Sequence, residues 1–238
     1  MVKKQIKEKS EEDNLKLSGK TNNGENTEKE LDKKTLKQTM WFFSILVLLL
    51  IALFAGAWIN FESKKFDYIG LTFQKEKFGE IPIYTSQITG YGVTGLPMNF
   101  KLVLRNNPTE LDIPIEGNIM FLRGQPVYLS INSSSGIEKC GDGIALISFG
   151  YFMTGLGFDL KTGAPTQELA NSGNQPLINC DNTKDATVLI LTEGNETKII
   201  QHKDNVNCYT LSVSNCETIP LMEKFEIATL SEINGKPL

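Results

Sequence analysis

Histidine and arginine are nearly missing from this chain. One imidazole, His202, and two guanidiniums, Arg105 and Arg123, serve all 238 residues. A single His rules out a His-rich metal site, and any Ser-His-Asp triad would have to use it. His202 sits in TKIIQHKD at the end of a strand-like run, where a lone His is ordinarily just exposed. Two Arg leave few means of clamping a phosphate or carboxylate bidentately. No stretch makes a basic face, which argues against a nucleic-acid partner. Cysteine is sparse as well. Cys140, Cys180, Cys208 and Cys216 are separated by forty, twenty-eight and eight positions, with no C-x-x-C pair, so a zinc site is not indicated.

Charge is absent from one long stretch. Residues 40–59, MWFFSILVLLLIALFAGAWI, hold no ionisable side chain over twenty positions, the length a helix needs to cross a bilayer core. Trp41 and Trp58, the only tryptophans, stand at its two ends, where aromatic belts sit. Ala55-Gly56-Ala57 resembles a signal-peptidase site. The polar leader is far longer than an ordinary n-region, however, and this favours an uncleaved anchor. G-x-x-x-G is absent from the segment, so no helix dimer is indicated.

Aromatic residues are absent from residues 1–39, where ten Lys stand against eight Asp plus Glu. Such a segment cannot bury enough apolar surface to offset its chain entropy, and disorder is expected. Thr27 with Glu30 makes a capping box, so a short helix near Glu28 is expected to run into the apolar segment. Residues 60–238 form the third part, the size of one domain. Fourteen Lys plus Arg there face twenty Asp plus Glu, a net charge of about −6. The lysines flanking the apolar segment only weakly favour an inside N-terminus. An even number of cysteines confined to one side of it reads as two disulfides in an oxidising compartment. Two sequons, at Asn132 and Asn195, lie on the same side and are candidate glycosylation sites.

The domain reads as α+β: a mostly antiparallel β domain with one or two packed helices. Phe66–Gln74, Ile81–Thr89, Met98–Arg105 and Val127–Ile131 read as strands of one antiparallel sheet. Gly143–Leu156 fits a buried helix, too short to be a second membrane pass. Short strands are expected at Gly157–Lys161 and Leu177–Cys180, and a helix start at Pro165–Ala170. Thr187–Thr192, Thr197–His202 and Cys208–Ser214 read as a three-strand meander, and Leu221–Leu230 as a closing amphipathic helix.

Strand rise constrains the bridges. The ends of a strand from Cys208 to Cys216 lie roughly 26 Å apart, whereas a disulfide needs Cα atoms within about 7 Å. Two connectivities remain. The residues before the first and third strands of a meander share one end, which favours Cys180–Cys208 with Cys140–Cys216.

Several motifs invite a chemical reading. Gly90, Gly92 and Gly95 in GYGVTGLP fit G-x-G-x-x-G. A dinucleotide loop must open a helix, but this one opens the strand-like MNFKLVLR and is expected to be a hairpin loop. Asp181, Thr183 and Asp185 echo half a calcium loop, but Ala186 stands where the turn needs Gly and Thr192 where the bidentate Glu belongs. Residues 106–110, NNPTE, read as a strand stop. No catalytic, metal or cofactor set emerges.

The segments FKLVLRNNPTELDIP, CDNTKDATVLILTEGNETKI, CYTLSVSNC and MEKF resemble a pattern of single-pass membrane-anchored ectodomain proteins of small-genome, DPANN-type archaea. The resemblance spans most of residues 66–230. It implies an anchored α+β ectodomain with these cysteines and transfers no catalytic residue.

Three parts are therefore expected: a disordered cytoplasmic tail (1–39), a transmembrane signal anchor in contact with the bilayer (40–59) and a disulfide-stapled extracytoplasmic domain (60–238). The expected function is a non-enzymatic binding or structural module of the cell envelope, with an envelope protein as partner. The alternatives are a carboxylate-dependent ectoenzyme, which requires a cleft with convergent Asp or Glu residues, and a ligand sensor acting through a partner.

Overall fold

The computed structural model describes the backbone of residues 24–62, 64–92, 94–122, 124–140 and 143–238 and, within those ranges, the side chains of all but 24–34, 59–62, 138 and 139. The chain divides into two units, Met1–Ile59 and Asn60–Leu238.

The first unit carries helix α1, Gly24–Glu62. Its apolar part, Thr35–Trp58, has 24 residues, mean hydropathy 2.5 and no buried share. At helical rise it is about 36 Å long, enough for a hydrocarbon core of about 30 Å. Exposed apolar side chains around the whole circumference are compatible with a membrane anchor. Within the polar leader a short helix near Glu28 was expected to run into the apolar segment, and the helix starts slightly earlier, at Gly24. Extending an existing helix costs only propagation and no new nucleus, which lets a polar sequence ride on the apolar one. Residues 1–23, and the side chains of the Thr27 and Glu30 cap, lie outside the described residues.

The second unit is α+β, with two disulfides and two sheets. The first sheet is antiparallel, in the order β1 (Lys65–Tyr68), β2 (Leu71–Phe78), β3 (Ile81–Gly90), β4 (Met98–Leu104). The run Phe66–Gln74, expected as one strand, is a hairpin of β1 and β2. It turns at Ile69 and Gly70, both with positive φ (49° and 79°). That is the handedness a two-residue hairpin demands, and Gly70 was its only local signal. GYGVTGLP does join two antiparallel strands, with Gly90 paired to Met98.

The second sheet adds β5 (Ile115–Glu116), β6 (Val127–Ile131), β7 (Leu160–Gly163), β8 (Thr187–Glu193), β9 (Lys198–Gln201) and β10 (Cys208–Val213). Its order is β5-β9-β10-β8-β6-β7, and only the β9–β10 pair is antiparallel. Two sequence expectations change here. Val127–Ile131 belongs to this sheet and not to the antiparallel one. Between β6 and its parallel neighbour β7 runs α2 (Gly143–Gly155), the helical crossover that parallel strands require. The three strands from Thr187 onward are not a meander either. The hairpin β9–β10 places β10 between β9 and β8, so β8 and β10 are parallel neighbours. Between the sheets' strands in sequence, Leu177 makes only an isolated bridge to Ala164, and a short α3 spans Gln167–Gly173.

Helix α4 (Thr218–Asn234) closes the chain. It packs on β9 and β10, while α2 packs on α4, on β4 and on β7. Phe225 of α4 meets Phe121, Phe149 and Tyr209 edge to face at 6.1, 5.9 and 6.0 Å between ring centres. The buried Tyr209 hydroxyl accepts from the Met120 N–H at 2.7 Å and lies 3.0 Å from the Asn118 carbonyl. This satisfies its polar end inside an apolar cluster. One continuous core links both sheets and both helices. Helix α2 is buried on one face only. Phe149, Phe152 and Met153 point into the core, whereas Ile144, Ile147 and Tyr151 are exposed, so the fully buried helix expected from its composition is half-buried.

Candidate functional site

Helix α4 is apolar nearly all round. Leu221, Met222, Phe225, Ile227, Ala228 and Leu230 are all buried, and a helix apolar on every side is a core helix. Glu223 and Glu226 are carried inside with it, at 6% and 2% exposure. One helical turn apart, they project from neighbouring positions on one face.

Their environments differ. Glu223 accepts three hydrogen bonds: from the Arg105 N–H at 2.5 Å, the Asn106 N–H at 3.0 Å and the Asn106 side-chain amide at 2.7 Å. The turn after β4, which reads in sequence as a plain strand stop, is thus tied to α4 through a carboxylate. Burial raises the Glu223 carboxyl above the ordinary range, and the Arg105 and Asn106 donors oppose that shift. Glu226 lacks such support: its Oε2 is buried with no hydrogen-bond partner among the described residues. Burial, and then the neighbouring Glu223 charge, push its carboxyl well above the ordinary range, which favours its neutral form.

Both glutamates line a cavity of about 350 Å³ between the antiparallel sheet and helices α2 and α4. That volume is at the small end of ligand pockets. The hairpin β2–β3 contributes Phe78, Ile81 and Ile83; β4 contributes Val103; α2 contributes Ile144 and Ser148. Its walls are chiefly apolar. Phe78 at 77%, Ile144 at 60% and Ile81 at 50% exposure leave an apolar rim. An apolar entrance above a buried acid can take the body of an amphiphile and present one hydrogen-bonding group to its head.

One of the two disulfides borders this site. Cys140 pairs with Cys216, with Cα atoms 5.1 Å apart, and Cys180 pairs with Cys208 at 5.5 Å. This is the pairing that strand-end geometry favours, although its basis is the parallel contact of β8 with β10 and not a meander. Cys140 lies just before α2 and Cys216 just before α4, so the first bridge joins the beginnings of the two helices that wall the cavity. The second bridge sits in a separate small cluster with Ile178 and Val188.

The other residues singled out from sequence lie apart from the cavity. His202 pairs its Nε2 with the Thr210 hydroxyl at 2.9 Å. In the calcium-like stretch, Asn179 Oδ1 accepts from the Asp181 and Asn182 N–H groups, and Asn205 Nδ2 donates to the Cys180 and Thr183 carbonyls. These bonds are the internal wiring of a polar turn. Among the described residues no group of three His, Cys, Asp or Glu is placed to hold a metal ion. Gly90 is where backbone meets backbone: a Cβ there would fall 2.0 Å from the Gly155 carbonyl oxygen, at the end of α2. The glycine thus serves helix–sheet packing. Asn195 is exposed in the turn between β8 and β9. Asn132 is half-buried, and its side-chain amide donates to Thr192.

Sequence reasoning missed Glu223 and Glu226. Their signal was present but indirect: in LMEKFEIATL the apolar residues Leu221, Met222, Phe225, Ile227, Ala228 and Leu230 fall on every side of a helix, with Lys224 the one other charge among them. Comparison of the chain with protein-family models, with curated proteins and with solved structures finds no match.

Proposed function

We propose that this chain is a membrane-anchored extracytoplasmic binding module of the cell envelope. Residues 40–59 engage the bilayer with the N-terminus inside, and residues 60–238 display the cavity outside. The observation that carries this reading is the combination of a 24-residue apolar helix with a domain whose four cysteines all form disulfides. Disulfides persist in oxidising compartments, and a pocket with apolar walls and few polar groups is the common form of a binding site. The resemblance to anchored ectodomains of small-genome archaea points the same way, and an envelope protein remains the partner this reading expects.

The test is protease protection of the full chain in membranes, run beside non-reducing peptide mapping. The expected result is digestion of the domain from outside and recovery of linked Cys140–Cys216 and Cys180–Cys208 peptides. Four free thiols in a domain protected on the cytoplasmic side would overturn the reading.

One observation favours a second reading, a carboxylate-dependent ectoenzyme: Glu223 and Glu226 converge on one cavity with raised carboxyl pKa values. Against it, Glu223 already accepts three donors, which leaves one protonated acid without a free partner base. Turnover of chromogenic esters or glycosides that disappears in Glu226→Gln would establish it.

A further inference from the structure

We propose that the cavity between the antiparallel sheet and helices α2 and α4 binds a small amphiphilic primary amine, with its apolar body along Ile81, Val103 and Ile144 and its ammonium group on Glu226. This inference rests on the binding reading above and names the ligand class of the site.

The walls define the body. Phe78, Ile81, Ile83, Val103, Ile144 and Met222 offer hydrocarbon and no donor or acceptor. The volume, about 350 Å³, holds roughly a dozen water-sized groups, which suits a short alkyl or a single aryl body.

The floor defines the head. Glu223 has its oxygens engaged by Arg105 and Asn106. Among the described residues Arg105 is the only basic one in the lining, and its charge acts on Glu223. Among the described residues no donor meets the Oε2 of Glu226, and no cation opposes the upward shift of its carboxyl. A buried acceptor left without a partner is costly, and Glu226, whose Oε2 has no partner among the described residues, is therefore the lining side chain with most to gain from a ligand that reaches it. An ammonium brings three donors and the charge that two adjacent acids lack. A carboxylate head would add a third acid. An alcohol would satisfy one oxygen but bring no positive charge to pair with the two acids.

Proton exchange follows from this pairing. The ammonium binds the ionised form of Glu226, so binding expels a proton and affinity falls as pH falls through the raised titration range. Glu223 from α4 and Arg105 from the turn after β4 are the charged groups that share the lining. Helix α2 contributes Ser148 as its polar residue, and β2 and β3 contribute apolar side chains.

The experiment is isothermal titration of the full chain in nanodiscs with hexylamine, hexanol and hexanoate, referenced to empty nanodiscs. Hexylamine is expected to bind saturably, about tenfold or more tighter than hexanol. Its heat should vary with the ionisation enthalpy of the buffer as a proton is released. Hexanoate is expected not to saturate. Glu226→Gln should weaken hexylamine by about tenfold or more while leaving hexanol unchanged. A second variant, Ile144→Trp at the exposed rim, should block hexylamine and hexanol alike without altering the melting temperature. Equal binding of all three ligands, indifferent to Glu226→Gln, would overturn the amine assignment and leave the cavity as a general apolar site. No saturable binding of any ligand would overturn the cavity as the binding site, while membrane topology and disulfides, tested separately, would stand or fall on their own.

Discussion

Helices α2 and α4 pack side by side, and each has the other's expected polarity. Apart from Ser148, Tyr151 and Thr154, α2 is built of apolar residues and glycines, yet it turns Ile144, Ile147 and Tyr151 outward. Helix α4 carries two glutamates and takes them inside. Sequence makes α2 the buried helix and α4 the amphipathic one; position in the fold reverses both where the two helices meet the cavity. An exposed Leu or Ile is ordinary in a folded protein, whereas a buried acid without a partner is not. The informative departure is therefore on α4, and four sets of substitutions sharpen the contrast.

The largest effect is expected where α4 anchors the core. Phe225 touches three aromatic rings from other elements. Phe225→Ala should cost about 3–5 kcal/mol in chemical denaturation of the full chain. A loss below about 1 kcal/mol would mean that α4 is not the core helix described here.

Next comes the bridge that joins the two helices. Replacing Cys140 and Cys216 together by Ala should cost about 2–4 kcal/mol and loosen the cavity. The corresponding Cys180 and Cys208 pair should cost a similar amount but leave ligand binding intact, because that bridge sits in the separate cluster of Ile178 and Val188. Melting curves and ligand titrations on both double variants distinguish these outcomes.

The third effect runs the other way. Glu226→Leu removes a buried acceptor that has no partner and should stabilise the domain by about 1–3 kcal/mol at neutral pH. Both Glu223 and Glu226 have carboxyl pKa values raised by folding, from an ordinary value of 4.5. The folded state therefore holds protons that the unfolded state has released. Their contribution is full below about pH 4.5 and is lost as pH rises through the raised folded values. Melting temperature should fall over that interval in the parent chain and fall less in Glu226→Leu. An unchanged slope would place the titration elsewhere.

The smallest effect belongs to the outer face of α2. Ile147→Ser and Tyr151→Ser change side chains 62% and 75% exposed and should shift stability by less than about 0.5 kcal/mol. A large loss would show that this face is covered in the folded chain.

Local features were legible in the sequence and long-range ones were not. The apolar run of α1, the strands β3, β4, β6, β8, β9 and β10, and the helices α2 and α4 all announce themselves through composition and turn residues. The hairpin loop at Gly90–Pro97 could be told from a nucleotide loop because a strand pattern follows it. Strand order is different. Nothing near Thr197 states that β9 passes over the neighbouring place and lets β10 take it; that choice is made by contacts many residues away. Glu223 and Glu226 were overlooked for a related reason. Glutamates three positions apart ordinarily mark a solvated helix face, and only the burial of Met222 and Ile227 beside them shows otherwise.

The two bridges are nested, with Cys180–Cys208 inside the loop closed by Cys140–Cys216. Their separations are 28 and 76 residues, and closing the longer loop costs about 0.9 kcal/mol more in chain entropy. The inner bond therefore has the advantage in refolding from a complete chain. Export under the proposed topology imposes a different sequence of events. Cys140 and Cys180 emerge first, and a bond between them is non-native. Maturation in the envelope is then governed by thiol–disulfide exchange that frees Cys180 for Cys208, and a host lacking a disulfide isomerase should accumulate the mispaired form.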